Sequence, residues 1–315
     1  MQILVTGGCG YVGSSLVPLL INEGHRITVI DNEWFGNRLT SSPLLECIKG
    51  DIRDSQIYPK GKFDAVIHLA NIANDPSVEL NPELSWEVNT LATLQLLTWA
   101  KKAEVKDFIY ASSGSVYGLS EELRVTEELP LLPISTYNKT KMVAEQIVSN
   151  WRDVFRVISL RPATICGYSP RMRFDLAVNL LTYQALSEKR ITVLGGSQVR
   201  PNIHIQDMVN VYSHFINNSK LPSGQYNAGF ENLTILEIAN KIASEIGAEI
   251  KVKSSNDPRS YRLDSTKLLN TGFEPTYGIS DAIADLKNRY NAGKLENTIA
   301  NNTVAQMIEL GLGNK

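Results

Sequence analysis

The chain has 315 residues, mixed charges summing to −2 and 43% apolar residues, ordinary for a soluble globular protein of one large or two closely packed domains. That balance gives no basis for binding nucleic acid or an anionic membrane, and without a run of about 18 apolar residues no membrane span is expected. Three widely spaced cysteines, Cys9, Cys47 and Cys166, show neither metal spacing nor a disulfide framework, and the N-terminus lacks a basic, apolar leader; a cytoplasmic protein is expected.

Residues 2–5 read as an apolar strand running straight into Thr6-Gly7-Gly8-Cys9-Gly10-Tyr11-Val12-Gly13. Gly8, Gly10 and Gly13 satisfy G-x-G-x-x-G, while Gly7, Gly10 and Gly13 satisfy G-x-x-G-x-x-G. Glycine at these points allows a tight turn, close backbone approach to a pyrophosphate, and packing of helix on strand. The helix expected from Tyr11 to about residue 23 would aim its first N–H groups and its dipole at phosphates. Pro18 within it forfeits one backbone bond but stands near the first turns. A second strand, residues 26–30, ends in Asp31. At this spacing an acidic residue accepts from the adenosine ribose hydroxyls and favours NAD over NADP, with Arg38 the one nearby cation that argues otherwise.

The alternation of strand and helix continues. Residues 46–49 precede Gly50-Asp51-Ile52-Arg53-Asp54, where Asp51 and Ile52 are placed to hold an adenine edge and face. Residues 65–69 predict a strand that delivers His68-Leu69-Ala70-Asn71 to the sheet end where ligands bind; His68 itself reads as structural. Residues 84–103 predict a long helix carrying Asn89, residues 108–111 a strand, and Pro130 and Pro133 a loop. A further helix runs to about residue 151, and near its start Tyr137 and Lys141 stand four apart on one face. An ammonium beside a phenol lowers the phenol pKa from about 10 toward the working range of a general base. This order of elements predicts a parallel, doubly wound α/β sheet.

Together the turn at residues 6–13, Asp31, residues 50–54, His68 to Asn71, residues 112–118 and the Tyr137/Lys141 pair resemble the extended short-chain dehydrogenase/reductase superfamily. Their order and intervals are similar to its NAD-dependent nucleotide-sugar epimerase/dehydratase branch, the UDP-glucose 4-epimerase-like enzymes, over essentially the whole chain. The resemblance implies a Rossmann-type domain over residues 1–165 and a smaller, mostly C-terminal α/β substrate domain over 166–315, with residues around 200–212 returning to the first. It implies NAD contacts from Gly7, Gly10, Tyr11, Val12, Gly13, Asp31, Asn32, Asp51, Ile52, Leu69, Ala70, Asn71, Asn89, Tyr137, Lys141 and Pro162. The implied catalytic set is Ser113, Tyr137 and Lys141, with Ser113 polarising the reacting oxygen. Ser115 stands where 4-epimerases carry threonine or serine. The 4,6-dehydratases carry an Asp-Glu pair there, and Gly114-Ser115 is neither, which speaks against dehydration.

In the second half, residues 161–167 resemble the family's Arg-Pro-x-x-x-x-Gly segment beside the nicotinamide. Arg171 and Arg173 follow in a loop at the sugar site, either as ligands or as surface charge. Asn179, Arg200 and Arg259 match positions that bind substrate diphosphate, where a guanidinium suits charge-assisted bonds. His204 and Asp207 read as structural, and the tail from about Asn291 is given no role beyond a helix over residues 300–310. The implied activity is NAD-dependent epimerisation of a nucleoside-diphosphate sugar through transient oxidation at C4, without metal, in a homodimer built on the helices over 84–103 and 137–151. Two alternatives stay open. A 4-dehydrogenase or 4-ketoreductase would use the same triad, whereas a non-catalytic dinucleotide-sensing module would have no need of a depressed phenol.

Overall fold

The computed structural model describes residues 1–119, 122–255 and 260–313. The chain opens with β1 (Gln2–Thr6), α1 (Gly13–Asn22), β2 (Arg26–Asp31), β3 (Leu45–Lys49) and β4 (Ala65–His68). Then come α2 (Asp75–Leu80), α3 (Pro82–Trp86), a π-helical turn at Glu87–Leu91, and α4 (Ala92–Lys102). β5 (Asp107–Ala111), α5 (Thr136–Ser149) and β6 (Arg156–Pro162) follow. The second half contains β7 (Thr164–Cys166), α6 (Ala177–Glu188), β8 (Arg190–Leu194), β9 (Val199–His204), α7 (Ile205–Asn217) and β10 (Gly224–Ala228). It ends with β11 (Glu231–Thr234), α8 (Ile235–Ile246), β12 (Glu249–Lys253), α9 (Thr266–Leu269), α10 (Ile279–Asn291) and α11 (Thr303–Glu309).

Seven strands pair in parallel in the order β3-β2-β1-β4-β5-β6-β10. The strand order reverses between β1 and β4, so a crevice opens outside their carboxyl ends, as in a Rossmann-type sheet. The central strands are apolar on both faces because helices cover both. Successive side chains alternate between the two cores. Ile3, Val5, Ile109 and Ile158 pack with Leu16 and Leu20 of α1 and Phe215 of α7, whereas Leu4, Phe108 and Val157 pack with Leu96 of α4 and Val148 of α5. β11, β9 and β7 form a second sheet, and β12 pairs with β8. These carry α6, α8 and α10 around a third core that includes Val178, Ile191, Ile238, Ile242 and Ile283.

The long helix expected over 84–103 is present as a continuous helical run from Pro82 to Lys102, with a π turn at Glu87–Leu91 that contains Asn89. α5 begins where Ser135 caps it, its hydroxyl oxygen accepting from the Asn138 N–H at 3.2 Å. Among the described residues no helix is long and apolar enough to cross a membrane.

Candidate active site

A cavity of about 370 Å³ lies at the carboxyl ends of β1 and β4. Gly7, Gly10, Tyr11, Val12, Gly13, Asp31, Asn32, Asp51, Ile52, Leu69, Ala70 and Asn71 line one end; Ser113, Ser115, Tyr137, Lys141, Pro162 and Arg200 line the rest. The turn after β1 has room only for glycine. Gly7 has φ +74°, and a Cβ there would meet Ala70 N at 2.6 Å; a Cβ on Gly13 would meet Gly8 Cα at 2.5 Å. The backbone thus closes tightly on the loop after β4 and brings Val12 and Gly13, at the start of α1, into the cavity lining, a cradle for a dinucleotide. Asp31 binds the turn, its Oδ2 accepting from Cys9 N at 2.9 Å and its Oδ1 from Glu33 N at 2.8 Å. Burial raises its carboxyl above the ordinary range, against the pull of those two bonds. Arg38 is exposed and lies outside the cavity lining, so it does not offset the acidic Asp31.

At the other end one face of α5 carries Tyr137, Lys141 and Glu145, each four residues from the next. Lys141 donates from Nζ to the Ala111 carbonyl at 2.8 Å, pinning the end of β5 beside Ser112 and Ser113. Glu145, fully buried, accepts from Ser112 Oγ at 2.5 Å and from Arg161 Nη2 and Nε at 2.5 and 3.0 Å. Arg161 donates on to the Tyr117 hydroxyl at 2.6 Å, which donates to Asn227 Oδ1 at 2.8 Å. The Ser113 hydroxyl lies 2.7 Å from that of Ser115 and draws the Tyr137 phenol down.

The electrostatics reverse one expectation. Burial pushes the Tyr137 phenol up to about 12, although the Ser113 bond and the Arg173 charge pull it down. Burial also pushes the Lys141 ammonium down to about 7. The i, i+4 spacing brings the two side chains to one face, but both charged forms are desolvated, and Lys141 is turned to a neutral carbonyl.

Asn89 and Asn179 are the other corrections. Asn89 is buried behind the lining, accepting from Ile72 N at 2.8 Å and donating to Ile72 O and Thr140 Oγ1, both at 3.1 Å; it shapes the loop after β4. Asn179 accepts from Gly167 N at 2.8 Å and donates to the Tyr11 hydroxyl and the Arg173 carbonyl, so its amide is fully used in structure. Arg259 lies outside the described residues. His68 bridges Thr6 and Thr93, His204 caps α7, and Asp207 accepts from Thr276 and Tyr277 N–H groups, all structural roles. Arg171 is buried and Arg173 half-buried, so neither is a surface charge, and both line the cavity; Arg173 pairs with Asp175 at 2.9 Å. The sequence reading missed Trp34, Phe35, Tyr212 and Tyr261 in the lining, and above all the tail. Thr303 and Met307 of α11 also line the cavity, and Gln306 donates to the Trp34 carbonyl at 2.9 Å. Nothing local to residues 291–313 signals this return, because it depends on where the preceding elements leave the chain.

A family model described as "NAD dependent epimerase/dehydratase family" matches residues 3–229. A UDP-glucose 4-epimerase of Lactobacillus helveticus is 30% identical over 317 residues, covering 90% of this chain and 95% of that protein. UDP-glucuronic acid decarboxylase 1 of Danio rerio is also 30% identical, covering 90% of this chain and 71% of its own. The crystal structure of the Thermus thermophilus UDP-glucose 4-epimerase in complex with NAD superposes with a TM-score of 0.77 at 25% identity, covering 90% of this chain and 98% of that one. With the dinucleotide cradle and the sheet in agreement, the chain belongs to the NAD-dependent epimerase/dehydratase family of enzymes and uses NAD.

Proposed function

We propose that this enzyme is an NAD-dependent 4-epimerase of a nucleoside-diphosphate sugar. The observation that carries the reading is that Ser113, Tyr137 and Lys141 line the same cavity as the glycine turn and Asp31. NAD, when bound, supplies the hydride acceptor and donor, and a positive charge close to the site. Tyr137 removes the proton from the sugar C4 hydroxyl and returns it, with Ser113 bonded to the same oxygen. Lys141 favours the phenolate only in its ammonium form, against the burial that pushes it down to about 7. Ser115 bonds the sugar, and Arg200 binds the substrate diphosphate through charge-assisted bonds, so that nucleotide binding energy holds a mobile sugar in place. The absence of an Asp-Glu pair at Gly114-Ser115 supports epimerisation over dehydration. We extend the reading to a homodimer through the 84–103 and 137–151 stretches, where Leu91 and Leu94 are exposed. The division at about residue 165 belongs to the same proposal.

The test is incubation of purified protein with UDP-glucose, UDP-galactose and UDP-glucuronic acid, with product stereochemistry read by NMR and cofactor by absorbance. A C4 epimer without net NADH is expected. Stoichiometric NADH or a released keto sugar would move the enzyme to the dehydrogenases, and loss of carbon dioxide to the decarboxylases.

A further inference from the structure

Away from the Tyr137 corner, the cavity lining includes a buried cation that has no counter-ion among the described residues. Arg171 is 5% exposed. Its guanidinium carbon stands 3.9 Å from the centre of the Phe35 ring. Its Nη2 donates to Thr303 Oγ1 at 3.4 Å, a long bond, and its Nε has no partner among the described residues. Arg173, two residues on, differs: its Nε and Nη2 meet both oxygens of Asp175, at 2.9 and 3.0 Å. The charge that acts most strongly on Arg171 is the like charge of Arg173, ahead of the carboxylates of Asp175 and Asp31. A guanidinium taken out of water with its donors unmet is costly unless something else supplies the anion.

The backbone shows where that anion would lie. Arg171 N donates to Ser14 Oγ at 3.2 Å, in the first turn of α1. Phe35, under the guanidinium, stands four residues after Asp31. The side chain therefore hangs between the glycine turn and the loop that follows the ribose-binding carboxylate. The group that joins those two places in a bound dinucleotide is its diphosphate. We infer that Arg171 is the cationic ligand of the NAD diphosphate. Phe35 supports one face of the guanidinium, and Thr303 of α11 holds it from the returning tail. This assigns residues 303–309, which line the same cavity through Thr303 and Met307, to cofactor retention, and assigns Arg171 to the cofactor and not to the sugar nucleotide.

The inference rests on family membership and not on epimerisation, so failure of the proposed reaction would leave it standing. Titration calorimetry on the full chain, freed of copurified nucleotide, would compare NAD, ADP-ribose and adenosine for the native protein, Arg171→Met, Arg171→Lys and Thr303→Val. Arg171→Met is expected to weaken NAD and ADP-ribose on the order of tenfold to a hundredfold, the range for a lost charged hydrogen bond, and to leave adenosine unchanged. Arg171→Lys should recover part of the loss and the salt dependence, and Thr303→Val should give a smaller loss in the same direction. UDP, titrated into NAD-saturated protein, should bind all four alike. Unchanged NAD affinity in Arg171→Met, or an equal loss for adenosine, would overturn the assignment. A loss confined to UDP would transfer Arg171 to the substrate diphosphate. Should Arg171→Met fail to fold, Arg171→Lys and Thr303→Val still decide the matter, since unchanged ADP-ribose affinity in both would reject it.

Discussion

Tyr137 is a phenol that burial holds protonated, against the opposing pull of Ser113. Removal of its hydroxyl leaves the cavity shape intact and deletes the group proposed to carry the proton. Tyr137→Phe should lower kcat by roughly 100- to 10,000-fold, the usual range for a positioned acid–base group, while NAD affinity by calorimetry stays near native. Full activity in this variant would exclude the mechanism. Gly7 is a stricter position. A methyl group there meets Ala70 N at 2.6 Å in a backbone with φ +74°, and the atoms it meets, in Leu69 and Ala70, belong to the loop after β4 that frames the cavity. Gly7→Ala should cost about 1–3 kcal/mol through strain, lower the melting temperature and abolish NAD binding in titration; a native-like Tm with native affinity would contradict it. Residues of this kind were legible in the sequence because their role demands one residue type at a fixed interval. Gly7, Gly13 and Asp31 are of that kind. Asn89, Asn179 and Arg171 were not legible, since what an amide or guanidinium touches depends on the π turn and on the two half-chains meeting.

At the scale of elements, α5 acts as a bracket across the carboxyl ends of β5 and β6. Lys141 holds the Ala111 carbonyl, and Glu145, one turn on, holds Ser112 and Arg161. The four-residue spacing of Tyr137 and Lys141, the proposed catalytic pair, therefore continues into a structural member, and Ser113 is positioned by the residue before it. The Arg161–Glu145 pair is 4% and 3% exposed at its side chains. Breaking one side leaves a buried charge unpaired, at a cost of about 3–5 kcal/mol. Glu145→Gln should show a large fall in Tm by thermal denaturation, and the double variant with Arg161→Met should lose less than the two single losses added. Additive losses would show that the pair is not coupled. The strands β1, β2, β4 and β5 were legible from apolar runs, because a parallel strand covered on both faces leaves few polar positions. The π turn was not, as its bond pattern has no period of its own in the sequence.

Across the whole molecule, the chain returns twice to the sheet it first builds: β10 pairs with β6, and α11 closes on the cavity beside Trp34. Neither return is written locally, because an edge strand and a short terminal helix acquire their partners only from the assembled fold. One consequence of this closure is that Lys141 is 2% exposed and pushed down to about 7 from an ordinary value of 10.5. The unfolded chain therefore binds a proton on this lysine between about pH 7 and pH 10.5 that the folded chain does not. Stability from this group alone rises with pH across that window, and its penalty is fully present below about pH 7. Lys141→Met removes the penalty while giving up the bond to Ala111. With nucleotide stripped from both proteins, the variant should be more stable than the native chain at pH 6 by a few kcal/mol at most, and the difference should shrink toward pH 10. Thermal or urea denaturation of both proteins across that range measures the difference directly. A gap that stays constant with pH, or widens as pH rises, would mean that the ammonium is not the buried species the geometry implies. On the proposed mechanism the same variant should also be inactive.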